Sequence, residues 1–128
     1  MDPKIWGPSA WLFLHTITFN YPNNPTKEDK DNYYKLFDSL KYTIPCPICR
    51  EHYKENLKNN PIKLDNKDDL IKWLFDIHNS VNKFKGEKEY SHEELYDKYY
   101  DIFKSQRLQD KDKYKDYFKY GSLIIIVI

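Results

Sequence analysis

The chain has 128 residues, 21 basic and 20 acidic side chains, a formal net charge of +1, three glycines and two cysteines. That length suits one domain that buries about two-thirds of its unfolded surface without a disulfide staple. The near-balanced charge removes any general pull toward nucleic acid or membrane, and the scarcity of glycine argues against a glycine-cradled nucleotide fold.

The opening Met1-Asp-Pro-Lys-Ile-Trp-Gly7 lacks a basic stretch followed by an apolar run, so it does not read as a signal peptide. Helical spacing then dominates. Pro8 and Ser9 suit a first helical turn, and Trp11, Leu12, Leu14, His15, Thr18 and Phe19 cover one face. Tyr21-Pro-Asn-Asn-Pro-Thr26 ends this helix in turn chemistry, and Thr26 with Asp29 starts a second through a capping-box pattern. Its stripe is Tyr33, Leu36, Phe37 and Leu40, and Pro45 stops it. A third helix begins at Cys46-Pro-Ile-Cys49, with Cys46 at the N-cap and Pro47 at the first helical position, and runs to Asn59-Asn60-Pro61. Asp65 or Asn66 caps a fourth, where Leu70, Trp73, Leu74, Ile77, His78 and Val81 form the cleanest amphipathic stripe before Gly86. A shorter fifth fits Ser91 to Phe103, with Ser91 as N-cap and Glu94 at the box position. Nothing alternates like a strand before the last residues.

The expectation is an all-α fold, a four-helix bundle plus a short fifth helix, in a domain 1–104 followed by a tail 105–128. Gln106 to Lys119 is charged and tyrosine-laced, and reads as a mobile tail or a loose sixth helix. Leu123 to Ile128 is apolar but too short to span a bilayer. It reads either as a sticky tail or strand, or as a weak membrane contact or the start of an anchor.

The chemistry centres on the two cysteines. Amides and dipole at a helix N-terminus favour a thiolate, and cysteines at i and i+3 can close a disulfide across one turn. That is the geometry of a redox-active pair. An inert disulfide is the bland alternative, though so small a loop would stabilise little. A zinc module using Cys46, Cys49 and His52 is another, but structural zinc usually takes two paired ligand sets, and His15, His78 and His92 each stand alone. A thioredoxin-like module would place the motif after a strand, whereas the flanks here are helical. On the fourth helix His78 and Asn82 share a face with Asn79 beside them. A helix interior tolerates such groups only when each has a hydrogen-bond partner, which a bound aromatic, polar cofactor would supply.

Gly7-Pro-Ser-Ala-Trp11-Leu-Phe-Leu-His15, Tyr21-Pro22, Cys46-Pro-Ile-Cys49 and Trp73-Leu-Phe-Asp-Ile-His78-Asn79-Ser-Val-Asn82 together resemble the Erv/ALR family of FAD-linked sulfhydryl oxidases, over Gly7 to about Tyr100. The short form is similar to the versions carried by large DNA viruses. The resemblance implies FAD held between the helices of a small bundle, usually a homodimer. It implies FAD contacts from Gly7, Ser9, Trp11, His15 and Tyr21, and from His78, Asn79, Val81, Asn82 and Lys83, with Lys85, Lys98 and Tyr99 as further carry-overs. Cys46 would exchange with the substrate and Cys49 would lie against the flavin. His52 either steadies the thiolate or packs at the cofactor's edge. Oxygen would be the final acceptor, and a dithiol protein or a small thiol shuttle protein the donor.

Two departures stand out. Many members begin a structural disulfide where this chain has Phe75, with no cysteine near Ser91-His92, and many carry a second, distal cysteine pair that is missing here. If the source is viral, the implied setting is the host cytoplasm at assembly sites or the virion, with the apolar tail near membranes.

Overall fold

The computed structural model describes residues 1–104, and the chain divides between His92 and Glu93 into two compact units. The first unit holds α1 (Pro3–Phe19), α2 (Lys27–Thr43), α3 (Pro47–Asn59) and α4 (Lys67–Phe84). A fifth helix, α5 (92–104), follows directly after Ser91, and every regular element among the described residues is helical. No helix among them is long and apolar enough to cross a membrane. Gln106 to Lys119 and Leu123 to Ile128 lie outside the described residues.

Each helix starts where a side chain supplies a backbone amide with an acceptor. α1 begins earlier than Pro8 suggested. Asp2 accepts from the Lys4 amide at 2.9 Å and Pro3 takes the first helical position, which leaves Pro8 inside the helix. Pro8 brings no N–H to the Lys4 carbonyl, and Lys4 is exposed, so water can satisfy that carbonyl. Thr26 and Asp29 form a reciprocal capping box, with the Asp29 amide on Thr26 Oγ1 at 3.0 Å and the Thr26 amide on Asp29 Oδ2 at 2.9 Å. Asn66, not Asp65, caps α4, accepting from the Asp69 amide at 2.8 Å.

Side-chain pairs set the packing. His15 meets His78 and Phe19 meets Phe75, so α1 and α4 run antiparallel. His52 meets Phe84, Asn56 meets Ser80 and the Asn60 carbonyl meets Trp73, so α3 and α4 do too. Tyr53 reaches Phe37 and Arg50 reaches Ile44, which makes α2 and α3 antiparallel. The result is an up-down-up-down bundle with α4 packed on both α1 and α3. One end of it carries the N-terminus of α1, the Cys-x-x-Cys turn and the C-terminus of α4.

Tyr21, Phe37, Tyr53, Leu70, Trp73, Leu74 and Ile77 form the core. Phe37 and Trp73 meet edge-on at 5.2 Å, and Tyr21 and Tyr33 at 4.6 Å. Every polar tip in this cluster is used internally. Tyr21 Oη donates to Leu64 O at 2.8 Å, Tyr53 Oη to Phe37 O at 2.6 Å and Trp73 Nε1 to Asn60 O at 2.8 Å.

After α4 the chain turns at Gly86, whose φ of 72° is the left-handed conformation that glycine takes without strain. Residues 86–92 are then tied back along α4. The Glu87 amide donates to Asn82 O at 2.8 Å, and His92 Nε2 pairs with Asp76 Oδ1 at 2.7 Å. Between them, the Asn79 amide grips the Tyr90 backbone from both ends, donating to its carbonyl at 2.6 Å and accepting from its N–H at 2.9 Å. Phe75, in place of the expected cysteine, is fully buried and in ring contact with His15, Phe19 and His92. Aromatic packing and polar ties thus hold the segment that a disulfide would staple.

Candidate functional site

Cys46 and Cys49 are bonded to each other, with Cα atoms 5.2 Å apart, across the first turn of α3. Extended backbone at Cys46 and Pro47 at the first helical position start that turn, and the Cys49 amide donates to Cys46 Sγ at 3.3 Å. A helix that begins on a sulfur presents its positive end to that sulfur. Both cysteines are half-buried, so exposure does not distinguish them, whereas Pro45, Pro47 and Ile48 around them are exposed. Position on α3 does distinguish them. Cys49, His52 and Asn56 recur at helical spacing on the face packed toward α4, where His52 stacks on Phe84 at 4.2 Å and Asn56 accepts from Ser80 Oγ at 2.6 Å.

On the other side of α4 lies an aromatic and imidazole cluster. Trp11 and His78 stack nearly parallel, 3.8 Å apart at 7°, and His15 Nε2 and His78 Nδ1 share a hydrogen bond of 2.9 Å. His15 is fully buried. Two buried donors have no acceptor in the protein: Trp6 Nε1 on α1 and Asn56 Nδ2 on α3. A buried donor left unpaired costs about 1–3 kcal/mol, so such atoms mark a place built for an acceptor. Gly7 is buried, yet a Cβ added there would meet nothing within 4 Å.

The sequence-predicted residues therefore divide. Trp11, His15 and His78 gather between α1 and α4, Cys46, Cys49 and His52 lie on α3, and Gly7 and Asn82 are buried. Ser9, Lys83 and Lys85 are exposed, and Val81 is half-buried. Asn79 has both ends of its amide on the Tyr90 backbone. Tyr21 lies past the C-terminus of α1, at the opposite end from the disulfide, wholly within the core. Lys98 and Tyr99 lie on α5, where the Lys98 ammonium sits 5.4 Å from the Tyr99 ring centroid. Among the described residues no three His, Cys, Asp or Glu side chains gather to hold a metal. Nothing in this arrangement supports the zinc alternative, since the two sulfurs are bonded together and His52 stacks on Phe84.

Sequence reasoning missed Asn56, Ser80, Phe84 and Trp6. Asn56 stands seven residues after Cys49 and Phe84 four after Ser80, so helical phase held the signal for these. For Trp6, whose unpaired indole shows only in the folded chain, there was none.

The profile of the Erv1 / Alr family matches residues 8–101. A protein of Acanthamoeba polyphaga mimivirus, described as a probable FAD-linked sulfhydryl oxidase, is 43% identical over 91 residues, 69% of this chain and 64% of that protein. The FAD-linked sulfhydryl oxidase ERV1 of Arabidopsis thaliana is 36% identical over 80 residues, 62% of this chain and 42% of that one. The chain thus spans less than two-thirds of the length of these curated relatives. The crystal structure of the FAD binding domain of Erv1 from Saccharomyces cerevisiae superposes with a TM-score of 0.74 at 24% identity, over 79% of this chain and 96% of that domain. At that identity the superposition speaks for the fold.

Proposed function

The chain belongs to the Erv1 / Alr family, and from that premise we propose that it is an FAD-dependent thiol oxidase that makes disulfides in partner proteins. The observation that carries this reading is the Cys46–Cys49 disulfide at a helix N-terminus. FAD fits the side chains around α4 chemically. It is rich in carbonyl, ring-nitrogen and phosphate acceptors for Trp6 Nε1 and Asn56 Nδ2, and Trp11, His15 and His78 offer flat faces to its rings. In this reading Gly7, Ser9, Val81 and Asn82 line the cofactor. Lys83 and Lys85, exposed at the end of α4, face its diphosphate as cations. Asn79 acts by holding residues 86–92 in place.

The protein's own chemistry is thiol–disulfide exchange. A substrate thiolate attacks Cys46 Sγ, the Cys46–Cys49 bond breaks, and Cys49 leaves as a thiolate. Cys46 is the end reached from outside, because Cys49 shares the inward face with His52 and Asn56. The second substrate thiol, giving up its proton to solvent, attacks the substrate sulfur of the mixed disulfide. The substrate leaves oxidised and the pair is left as a dithiol. When bound, FAD would supply the two-electron oxidation that restores the Cys46–Cys49 disulfide, with O2 as the final acceptor and H2O2 as the product. The donor is a protein dithiol or a small thiol shuttle protein. The exposed apolar face of α1, with Ile5, Leu12 and Phe13 82%, 44% and 64% exposed, supports a homodimer.

The test is the visible spectrum of the purified protein before and after a dithiol is added in air. Flavin bands that bleach and recover while oxygen is consumed and peroxide forms are expected. C49S should keep the flavin and lose turnover by at least ~10³. A colourless protein, or a C49S variant that still turns over, overturns the reading.

A further inference from the structure

We propose that Arg50 is a positioning residue whose charge makes Cys46 the better leaving thiolate, and so speeds release of the oxidised substrate. The inference rests on the exchange chemistry above and adds to it a residue outside the Cys-x-x-Cys pair.

A cation in the first turn of a helix opposes the helix dipole, and α3 has no acid in its first turn to offset one. A half-buried arginine there would ordinarily extend into water. Arg50 instead folds back past the N-terminus of its own helix. Its Nη1 donates to the Ile44 carbonyl at 2.6 Å, and the same oxygen accepts the Cys46 amide at 2.8 Å. The guanidinium and the Cys46 backbone are thereby neighbours on one acceptor. Cys46 Sγ already accepts the Cys49 amide at 3.3 Å. Negative charge arriving on that sulfur meets an N–H donor, the positive end of α3 and a fixed cation. Among neighbouring acids, Glu51 pairs with Lys54 at 3.0 Å and Asp38 on α2 with Lys41 at 3.1 Å. On the α4 side, the His52 ring stacks on Phe84, and Lys83 and Lys85 at the end of that helix are cations.

The step served is the second exchange. The bond between the substrate sulfur and Cys46 breaks, a bond between the two substrate sulfurs forms, and the electron pair leaves on Cys46 Sγ. A thiol of lower pKa leaves faster. The same stabilisation of the reduced form makes the pair a stronger oxidant of its substrate.

The experiment compares wild type, R50Q and R50K as full-length chains, reduced. It reads Cys46 alkylation against pH by mass spectrometry, and the reduction potential of the pair against a glutathione buffer. An opposite charge within a few ångströms moves a pKa by about one unit or more. R50Q is therefore expected to raise the Cys46 pKa by about one unit, which slows alkylation about tenfold at pH values below that pKa. At pH values above it the same shift appears in the potential instead, as about 30 mV in the reducing direction for a tenfold change in the two-electron equilibrium. R50K should fall between R50Q and wild type. If R50Q lowers thermal stability but leaves alkylation and potential unchanged, Arg50 only caps the end of α2 and the proposal fails. R50M, which keeps the packing of the stem, takes the place of R50Q if that variant does not fold. Neither reading needs flavin or oxygen. Loss of the oxidase reading would show as a wild type without turnover, and loss of this one as an unmoved Cys46.

Discussion

The core cluster and the seam around α4 are built from the same residue types and treat their polar atoms in opposite ways. In the core, each aromatic that carries a polar tip closes it on a carbonyl: Tyr21 on Leu64, Tyr53 on Phe37 and Trp73 on Asn60. At the other region, Trp6 Nε1 and Asn56 Nδ2 are equally buried and have no acceptor. A protein stable by only about 5–15 kcal/mol does not carry two such donors without a use for them. The core is complete as a folding unit. Trp6 and Asn56 present buried donors that an acceptor-rich ligand would satisfy.

The largest expected effect lies in the core. Trp73 is fully buried, packs edge-on to Phe37 and donates to Asn60 O. W73A removes all three interactions and is expected to cost about 3–5 kcal/mol, enough to leave much of the chain unfolded in a urea titration. Added FAD should recover part of that loss by mass action. A variant with a wild-type urea midpoint would show that the bundle does not depend on this core.

A matched pair of smaller changes tests the contrast itself. Y53F deletes a hydroxyl with a partner and leaves the buried Phe37 carbonyl without it, so the flavin-free protein should lose about 1–2 kcal/mol. W6F deletes an N–H without a partner and keeps an aromatic ring, so the flavin-free protein should hold its stability or gain up to about 1 kcal/mol. FAD binding, read by equilibrium dialysis, should respond in the other order, weakening about tenfold in W6F and little in Y53F. If W6F destabilises the apoprotein as much as Y53F does, the two regions do not differ in the way described.

The sequence made the helices legible because capping residues and apolar period agreed. Thr26 with Asp29, Cys46 with Pro47, and Asn66 each start a helix as their chemistry predicts. α1 was read short because Pro8 looked like an N-terminal signal, whereas Asp2 and Pro3 supply a complete one five residues earlier. The Cys46–Cys49 pair was legible as a motif, and the fold closes it as a disulfide. What was not legible is which partner the fold brings to a polar side chain: Asn79 clasps the Tyr90 backbone, and Tyr21 bonds Leu64, 43 residues away in the chain. Arg50 carries no signal in the sequence, and its hydrogen bond to the Ile44 carbonyl appears only in the fold.

The smallest effect separates the regions by pH. Burial raises the Tyr53 hydroxyl well above its usual value, with Asp38 adding to the shift, and burial also raises Tyr21. In the unfolded chain both ionise near pH 10. Their contribution is therefore fully present below about pH 10. It is lost as pH rises toward the folded values, because the unfolded chain releases protons that the folded one retains. Urea midpoints should be level from neutrality to about pH 9. Above about pH 10 stability should fall with a limiting slope of about 1.4 kcal/mol per pH unit for each such tyrosine. Y53F starts lower at neutrality and should show a shallower decline, since one of the titrating hydroxyls is gone. W6F should keep the wild-type slope, because the indole does not titrate in this range and the core hydroxyls are untouched. A flattened decline in W6F would mean that the seam and the core unfold as one electrostatic unit.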